Sequence, residues 1–271
     1  MSFPCLGKNT PWQQIRSTIN FIRARFFRLL MDVAVMYSGG KDSNYAVQYA
    51  LEKGWTIKYL LSVKPTRTDC YLFHFATVEH TALQAESLGL KHYMLSCSVA
   101  DAKQEAAIVE KFVAGKQKSR SEKVDALILG GTGLQATQIR SLQDSLKPYG
   151  IEVFAAHSGL DHFSVLKEMV AKGYEIVITQ VASEGLPSWL GKRITKESIA
   201  KLEADSIKYG FHVGGEGGYY DSFVVDSPMF NKSVIIENSE TVWEDKYSGH
   251  IVITQLKLEP KLVASALASK A

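Results

Sequence analysis

The chain reads as an α/β protein built on a doubly wound parallel sheet, with a second, smaller α+β unit behind it. Three observations carry that reading. From Asp32 onward, short apolar runs alternate with amphipathic stretches of helical period, the pattern of repeated βαβ units. Glycines follow several of the helical runs, where a left-handed cap is wanted. With 46% apolar residues in 271, the chain can bury the core of one large domain or of two intimate ones.

In chain order, strands are expected at Val33–Tyr37, Ile57–Val63, His92–Leu95, Ala126–Leu129, Val153–Ala155 and Ile176–Val181. Helices are expected between them at Asn44–Lys53, Val78–Leu88, Asp101–Ala114, Gln135–Leu146 and Phe163–Lys172, with Gly54, Gly89 and Gly173 as caps. After Val181 the rhythm changes. A helix over Lys196–Tyr209 precedes the turn Gly214-Gly215-Glu216-Gly217-Gly218, then β-rich sequence to Leu258 and a weak helix over Lys261–Ala271. The expected organisation is a basic extension (1–30), a nucleotide-binding domain (31–150), a substrate domain (151–260) and a tail (261–271).

The formal charge of +3 would suit a nucleic-acid binder, but its origin argues otherwise. Before Asp32 stand Lys8, Arg16, Arg23, Arg25 and Arg28 and no acid; without those five positives the +3 becomes −2. tRNA is therefore not favoured as a partner. The first thirty residues read as an Arg-rich targeting segment, as a basic helix over Ile15–Leu30, or as an addition from a start codon upstream of Met31. No apolar run reaches the roughly 18 residues of a membrane span, so a soluble protein is expected. Cys5, Cys70 and Cys97 show neither a CxxC pair nor metal-ligand spacing, which points to a reducing, cytoplasmic compartment.

Parallel sheets bind ligands at the carboxyl ends of their strands. The first strand runs straight into Ser38-Gly39-Gly40-Lys41-Asp42-Ser43, and a helix follows at once. A strand, a glycine turn and a helix start present unpaired backbone N–H groups to an anion, reinforced by the helix dipole. Ser38 and Ser43 add hydroxyls, Gly39 and Gly40 admit close approach, and Lys41 brings a mobile positive charge. A carboxylate among phosphates needs a cation between them, so Asp42 is expected to hold Mg2+. The loop matches neither GxxxxGK[ST] nor GxGxxG, which disfavours Walker-type NTPases and dinucleotide enzymes.

This loop resembles the SGGxDS loop of the N-type ATP pyrophosphatases, whose fold is that of the adenine nucleotide alpha-hydrolases. That resemblance implies binding of the pyrophosphate leaving group of ATP while a substrate is adenylylated. The segments Tyr37–Ala46, Ser188-Trp189-Leu190-Gly191-Lys192-Arg193, His212–Gly218 and Asp221–Asp226 look like the diphthine-ammonia ligase family, in order from about Met31 to Glu259. The resemblance implies ATP-dependent amidation of diphthine, a modified histidine of translation elongation factor two, with ammonium as donor and AMP and pyrophosphate as products.

On that reading Lys41, Asp42, Glu216 and Asp221 are the expected catalytic residues. Val63, Gly130 and Gly131 join Ser38–Ser43 around the nucleotide. His74, Gln138, Glu184, Ser188, Trp189, Arg193, Gly217 and Gly218 fall to the substrate. Each has a plainer reading. Glu216, expected to act on the ammonium or to hold magnesium, also reads as a surface acid in a turn, and Trp189 as a core tryptophan. Glu184, Lys192 and Arg193 suit a solvated rim, and His74 reads equally as structural. Gly130-Gly131, expected to admit the ribose, would look the same as a bare turn.

The chain also departs from the family pattern. Tyr219 stands for an acid, and Asp221 shortens a second one. Thr137-Gln138-Ile139 stands for a Tyr-Gln-Arg run, with Arg140 one place late. Ser158 and Leu160 stand where a Trp and an Arg are usual. Two further readings stay open: an AMP-forming paralogue for another acceptor, such as a tRNA base or small carboxylate, and a nucleotide-binding module without turnover.

Overall fold

The computed structural model describes residues 30–66, 77–130 and 136–261. Five parallel strands make the first sheet: β1 (Asp32–Met36), β2 (Thr56–Pro65), β3 (His92–Cys97), β4 (Ala126–Leu129) and β5 (Glu152–Ala155), in the order β3-β2-β1-β4-β5. Helices α1 (Lys41–Glu52), α2 (Thr81–Leu88), α3 (Ala102–Lys116) and α4 (Ala136–Leu146) lie between successive strands. Strand order reverses at β1, with β2 on one side and β4 on the other, and at such a switch point the loops part to leave a crevice.

Alternation along each strand feeds two cores. Val33, Val35, Leu60, Ala126 and Ile128 face one apolar cluster, and Ala34, Tyr59, Leu61, Val63 and Leu127 face the other. Both faces are thus covered, as the runs of apolar residues without polar alternation require. The helices end where the glycines said they would: Gly54, Gly89 and Gly173 have φ of 71°, 66° and 94°.

One expected strand belongs elsewhere. By the βαβ rhythm, the run at Ile176–Val181 is expected to continue the parallel sheet as its sixth strand. It is instead the centre of a second sheet, β6 (Glu175–Ala182), paired antiparallel with β7 (Arg193–Ile194), β8 (Tyr220–Asp226) and β10 (Ser248–Pro260). A fully buried strand is a continuous apolar run in either kind of sheet, so the pattern carried no direction. Strand β9 (Lys232–Trp243) pairs with β10 as a long hairpin. Helices α5 (His162–Ala171) and α6 (Ile199–Tyr209) complete this half. The change of sheet falls between Ala155 and Glu175. The extension over 1–29, His74, Gly131 and the tail helix expected over Lys261–Ala271 lie outside the described residues, save Lys261, which is not helical.

The halves share one core. Phe223, Val224, Ile176 and Ile178 of the second sheet pack in the same cluster as Val35, Tyr37 and Ala46 of the first. Where β4 ends, a Cβ on Gly130 would stand 2.7 Å from the backbone of Asp42 and Ser43. Gly130→Ala is expected to lose about 1–3 kcal/mol in urea denaturation, the usual penalty for overpacking against atoms that cannot swing aside. Unchanged stability would mean that the start of α1 is free to retreat from β4.

Candidate active site at the phosphate loop

Tyr37 extends β1 by one hydrogen bond to Leu61 O, and then the chain turns into α1. Gly39 makes the turn with φ of 84°, a conformation open to glycine without strain. Gly40 caps the helix in extended conformation, and it offers no side-chain cap. Asn44 takes on that task from inside. Its Nδ2 donates to Gly39 O at 3.2 Å and to Gly40 O at 3.0 Å, while its Oδ1 accepts from Tyr37 Oη at 3.0 Å. Ser43 Oγ donates to Gly40 O at 3.0 Å and lies 3.4 Å from Ser38 Oγ.

The second sheet grips the same loop. Val224 N donates to Gly39 O at 3.0 Å, Lys41 N donates to Ser222 Oγ at 3.2 Å, and Gln84 Nε2 bridges Gly39 O and Val224 O at 2.9 and 2.7 Å. The loop is therefore a built element, held from α1, α2 and β8 together.

Lys41 Nζ pairs with Asp42 Oδ2 at 2.7 Å. On the other oxygen, His157 Nδ1 approaches Oδ1 to 3.5 Å. Burial alone would raise the Asp42 carboxyl; the Lys41 and His157 charges, with His162 beyond them, outweigh it and hold the group below the usual carboxylate range. His157 follows β5 and is 1% exposed. Its ring lies edge-on to Tyr45, and neither nitrogen makes a hydrogen bond among the described residues. Burial, with Lys41 and His162 adding to it and Asp42 opposing, drives its pKa down to about 4.

The glycine-rich turn brings a second carboxylate to the same place. His162 Nδ1 meets Glu216 Oε1 at 2.9 Å. His212 Nδ1 accepts from Gly214 N at 3.2 Å and Glu216 N at 3.4 Å. The three imidazoles stand in edge-to-face succession, His157 to His162 at 5.3 Å and His162 to His212 at 5.8 Å. Tyr220, wholly buried beside Lys41, donates to Val213 O at 2.7 Å; burial raises its pKa well above the ordinary range. Asp42 and Glu216 thus face one cluster from opposite halves of the fold.

The other expected residues are more scattered. Asp221 and Ser222 lie side by side on β8, Asp221 opposite Gln180 of β6. Gly217 and Gly218 are exposed in the same turn as Glu216. Val63 is a core residue, and Gly130 abuts α1 instead of opening a space. Trp189 takes its plainer role: it is 3% exposed, with Nε1 donating to Asp205 Oδ2 at 2.9 Å. Arg193 pairs with Glu175 on the outer surface, and Glu184 senses Lys208 and Lys246, far along the chain from the loop. Ser188 is exposed, and the Gln138 side chain lies outside the described residues. His157 and His162 were missed by sequence reading, since neither sits in a glycine-rich or paired-acid motif; His212 heads the glycine-rich segment His212–Gly218 but was given no role there.

Among the described residues no set of three His, Cys, Asp or Glu can hold a metal ion, and no helix is long and apolar enough to cross a membrane. A parallel sheet with a glycine-rich anion loop at its switch point, flanked by a lysine and two carboxylates, defines a nucleotide-using α/β enzyme. The diphthamide synthase N-terminal domain matches residues 31–144 and the diphthamide synthase C-terminal domain matches residues 161–258. Similar chains include the diphthine–ammonia ligases of Mus musculus (28% identical, covering 86% of this chain and 94% of that one), Homo sapiens (30%; 78% and 85%) and Bos taurus (30%; 86% and 94%). The chain belongs to the diphthine–ammonia ligase family.

His157 gives the site a signature in pH. Unfolded, its imidazole takes a proton near pH 6.5; folded, it resists until about pH 4. Its contribution to stability is present above 6.5 and lost as pH falls towards 4, on the order of 3 kcal/mol in full. His157→Phe is expected to flatten that loss in denaturation curves at pH 7, 5.5 and 4.5. A variant with the wild-type slope would show that the ring is protonated without penalty.

Proposed function

We propose that the chain amidates diphthine on translation elongation factor two with ammonium, through an acyl adenylate, releasing AMP and pyrophosphate. The observation that supports this reading is the phosphate loop, fixed by both halves and carrying Lys41 and Asp42, with Glu216 on the glycine-rich turn of the second half beside it, in a chain of this family. An oxygen of the diphthine carboxylate attacks the α-phosphorus of ATP. The bond to the bridging oxygen breaks and pyrophosphate leaves. Ammonia then attacks the acyl carbon, the bond to the AMP oxygen breaks, and the protons that ammonium gives up leave with solvent or site groups.

Ser38–Ser43 hold the β- and γ-phosphates, with the start of α1 behind them. Lys41 exchanges Asp42 for phosphate oxygen as negative charge gathers on the leaving group. Magnesium commonly binds through one or two carboxylates plus substrate phosphates and water. Asp42, 29% exposed, fits that mode as a single protein ligand, and the ion would neutralise phosphate charge. Glu216 faces the ammonium, and Asp221 with Gly217 and Gly218 shapes the acceptor side.

With ATP, ammonium and diphthine-bearing elongation factor, the protein is expected to form AMP and pyrophosphate in equal amounts. Asp42→Ala is expected to slow this by about 100-fold or more. Formation of ADP, pyrophosphate release driven by tRNA instead of the elongation factor, or full activity of Asp42→Ala would overturn the assignment.

A further inference from the structure

We propose that His162 is a second catalytic residue of the amidation step, forming with Glu216 a carboxylate–imidazole pair that accepts the protons ammonium must shed. This rests on the reading of the reaction given above and adds to it the group that makes ammonium a nucleophile.

Two carboxylates face the site, but they differ in company. Asp42 is bound by a lysine, which fixes its negative charge and suits it to phosphate and metal. Glu216 Oε1 lies 2.9 Å from His162 Nδ1, and a protonated carboxyl that close to an imidazole nitrogen can hand its proton on to it. The pair is sheltered: the two side chains are 17% and 16% exposed. It is also held in place. His212 Nδ1 accepts backbone N–H groups of Gly214 and Glu216, so that nitrogen carries no proton, and the ring braces the turn that presents Glu216. Gly214 clears the way, because a Cβ there would lie 3.1 Å from His162 Cβ and 3.2 Å from the His212 ring.

The charged and titratable groups around His162 come from every neighbouring element. Glu216 and His212 lie on the turn, His157 follows β5, Asp42 and Lys41 stand on the loop, and Asp161 caps α5 beneath it.

The chemistry requires such a group. Ammonium has no lone pair. One proton must leave before nitrogen attacks the acyl carbon, and a second leaves as the amide forms while the C–O bond to AMP breaks. Glu216 Oε1 takes the first proton from nitrogen and passes it to the lone pair of His162 Nδ1, 2.9 Å away, and the second leaves to solvent as the amide forms.

The test uses the full chain, diphthine-bearing elongation factor, and two nucleophiles. Hydroxylamine, neutral near pH 7, attacks without prior deprotonation. His162→Gln and Glu216→Gln are expected to lower amidation by ammonium at pH 7 by about 100-fold while hydroxamate formation persists. Raising the pH should recover part of the ammonium rate. ATP–pyrophosphate exchange reports the adenylation half alone and is expected to continue in both variants. Equal loss with both nucleophiles, or no loss with either, would overturn the assignment of His162. Absence of exchange in the wild type would instead overturn the reaction itself. If His162→Gln melts early, Gly214→Ala, which crowds the pair without removing it, is expected to show the same selective loss for ammonium, and equal loss with both nucleophiles in that variant counts against the pair.

Discussion

Three donors from three separate elements converge on the carbonyl oxygen of Gly39: Asn44 Nδ2 from α1, Gln84 Nε2 from α2 and Val224 N from β8. A turn residue normally leaves its carbonyl to water, and burying it demands replacement bonds. Here the replacements also fix geometry. With Gly39 pinned, Gly40 is set as the cap of α1, Lys41 N reaches Ser222, and the loop amides hold one orientation. Because Val224 belongs to the second sheet, the same carbonyl locks the two halves together at the place where phosphate would bind. With three donors on one oxygen, the loss of any one still leaves two, so the position of Gly39 is over-determined.

From that anchor the electrostatics follow. Lys41 and Asp42 are adjacent in sequence yet diverge enough for a 2.7 Å pair, leaving the second Asp42 oxygen towards His157. Beyond His157 the imidazoles lead to Glu216. Negative charge from a polyphosphate would enter at the lysine end, and a cationic nitrogen donor would meet the carboxylate at the other. The separation suits a reaction with two chemically distinct halves, one gathering negative charge on a leaving group and one drawing protons from a nucleophile.

Much of this was readable from sequence. Strand and helix positions in the first sheet followed from period and glycine punctuation, and Ser38–Ser43 announced itself by placing Lys-Asp inside a glycine turn. Two things were not. The direction of β6 depends on which strands it meets, and an apolar run buried on both faces looks the same in either sense. The histidines are spread over 157, 162 and 212, on a loop, a helix start and a turn. Each alone resembles a structural histidine, and only the packing of α5 against the glycine-rich turn turns them into a row. Trp189 failed in the opposite way: its neighbours Gly191, Lys192 and Arg193 suggested a ligand platform, whereas tertiary packing used the ring to fill the core and gave its N–H to Asp205.

The central claim is that this loop breaks ATP between the α- and β-phosphorus while a carboxylate oxygen becomes attached to the α-phosphorus. Isotope transfer tests it most directly. With diphthine labelled by oxygen-18 in its carboxylate, a single turnover with ATP and ammonium should place one labelled oxygen in AMP and none in pyrophosphate. Label in inorganic phosphate, or AMP free of label, would contradict it.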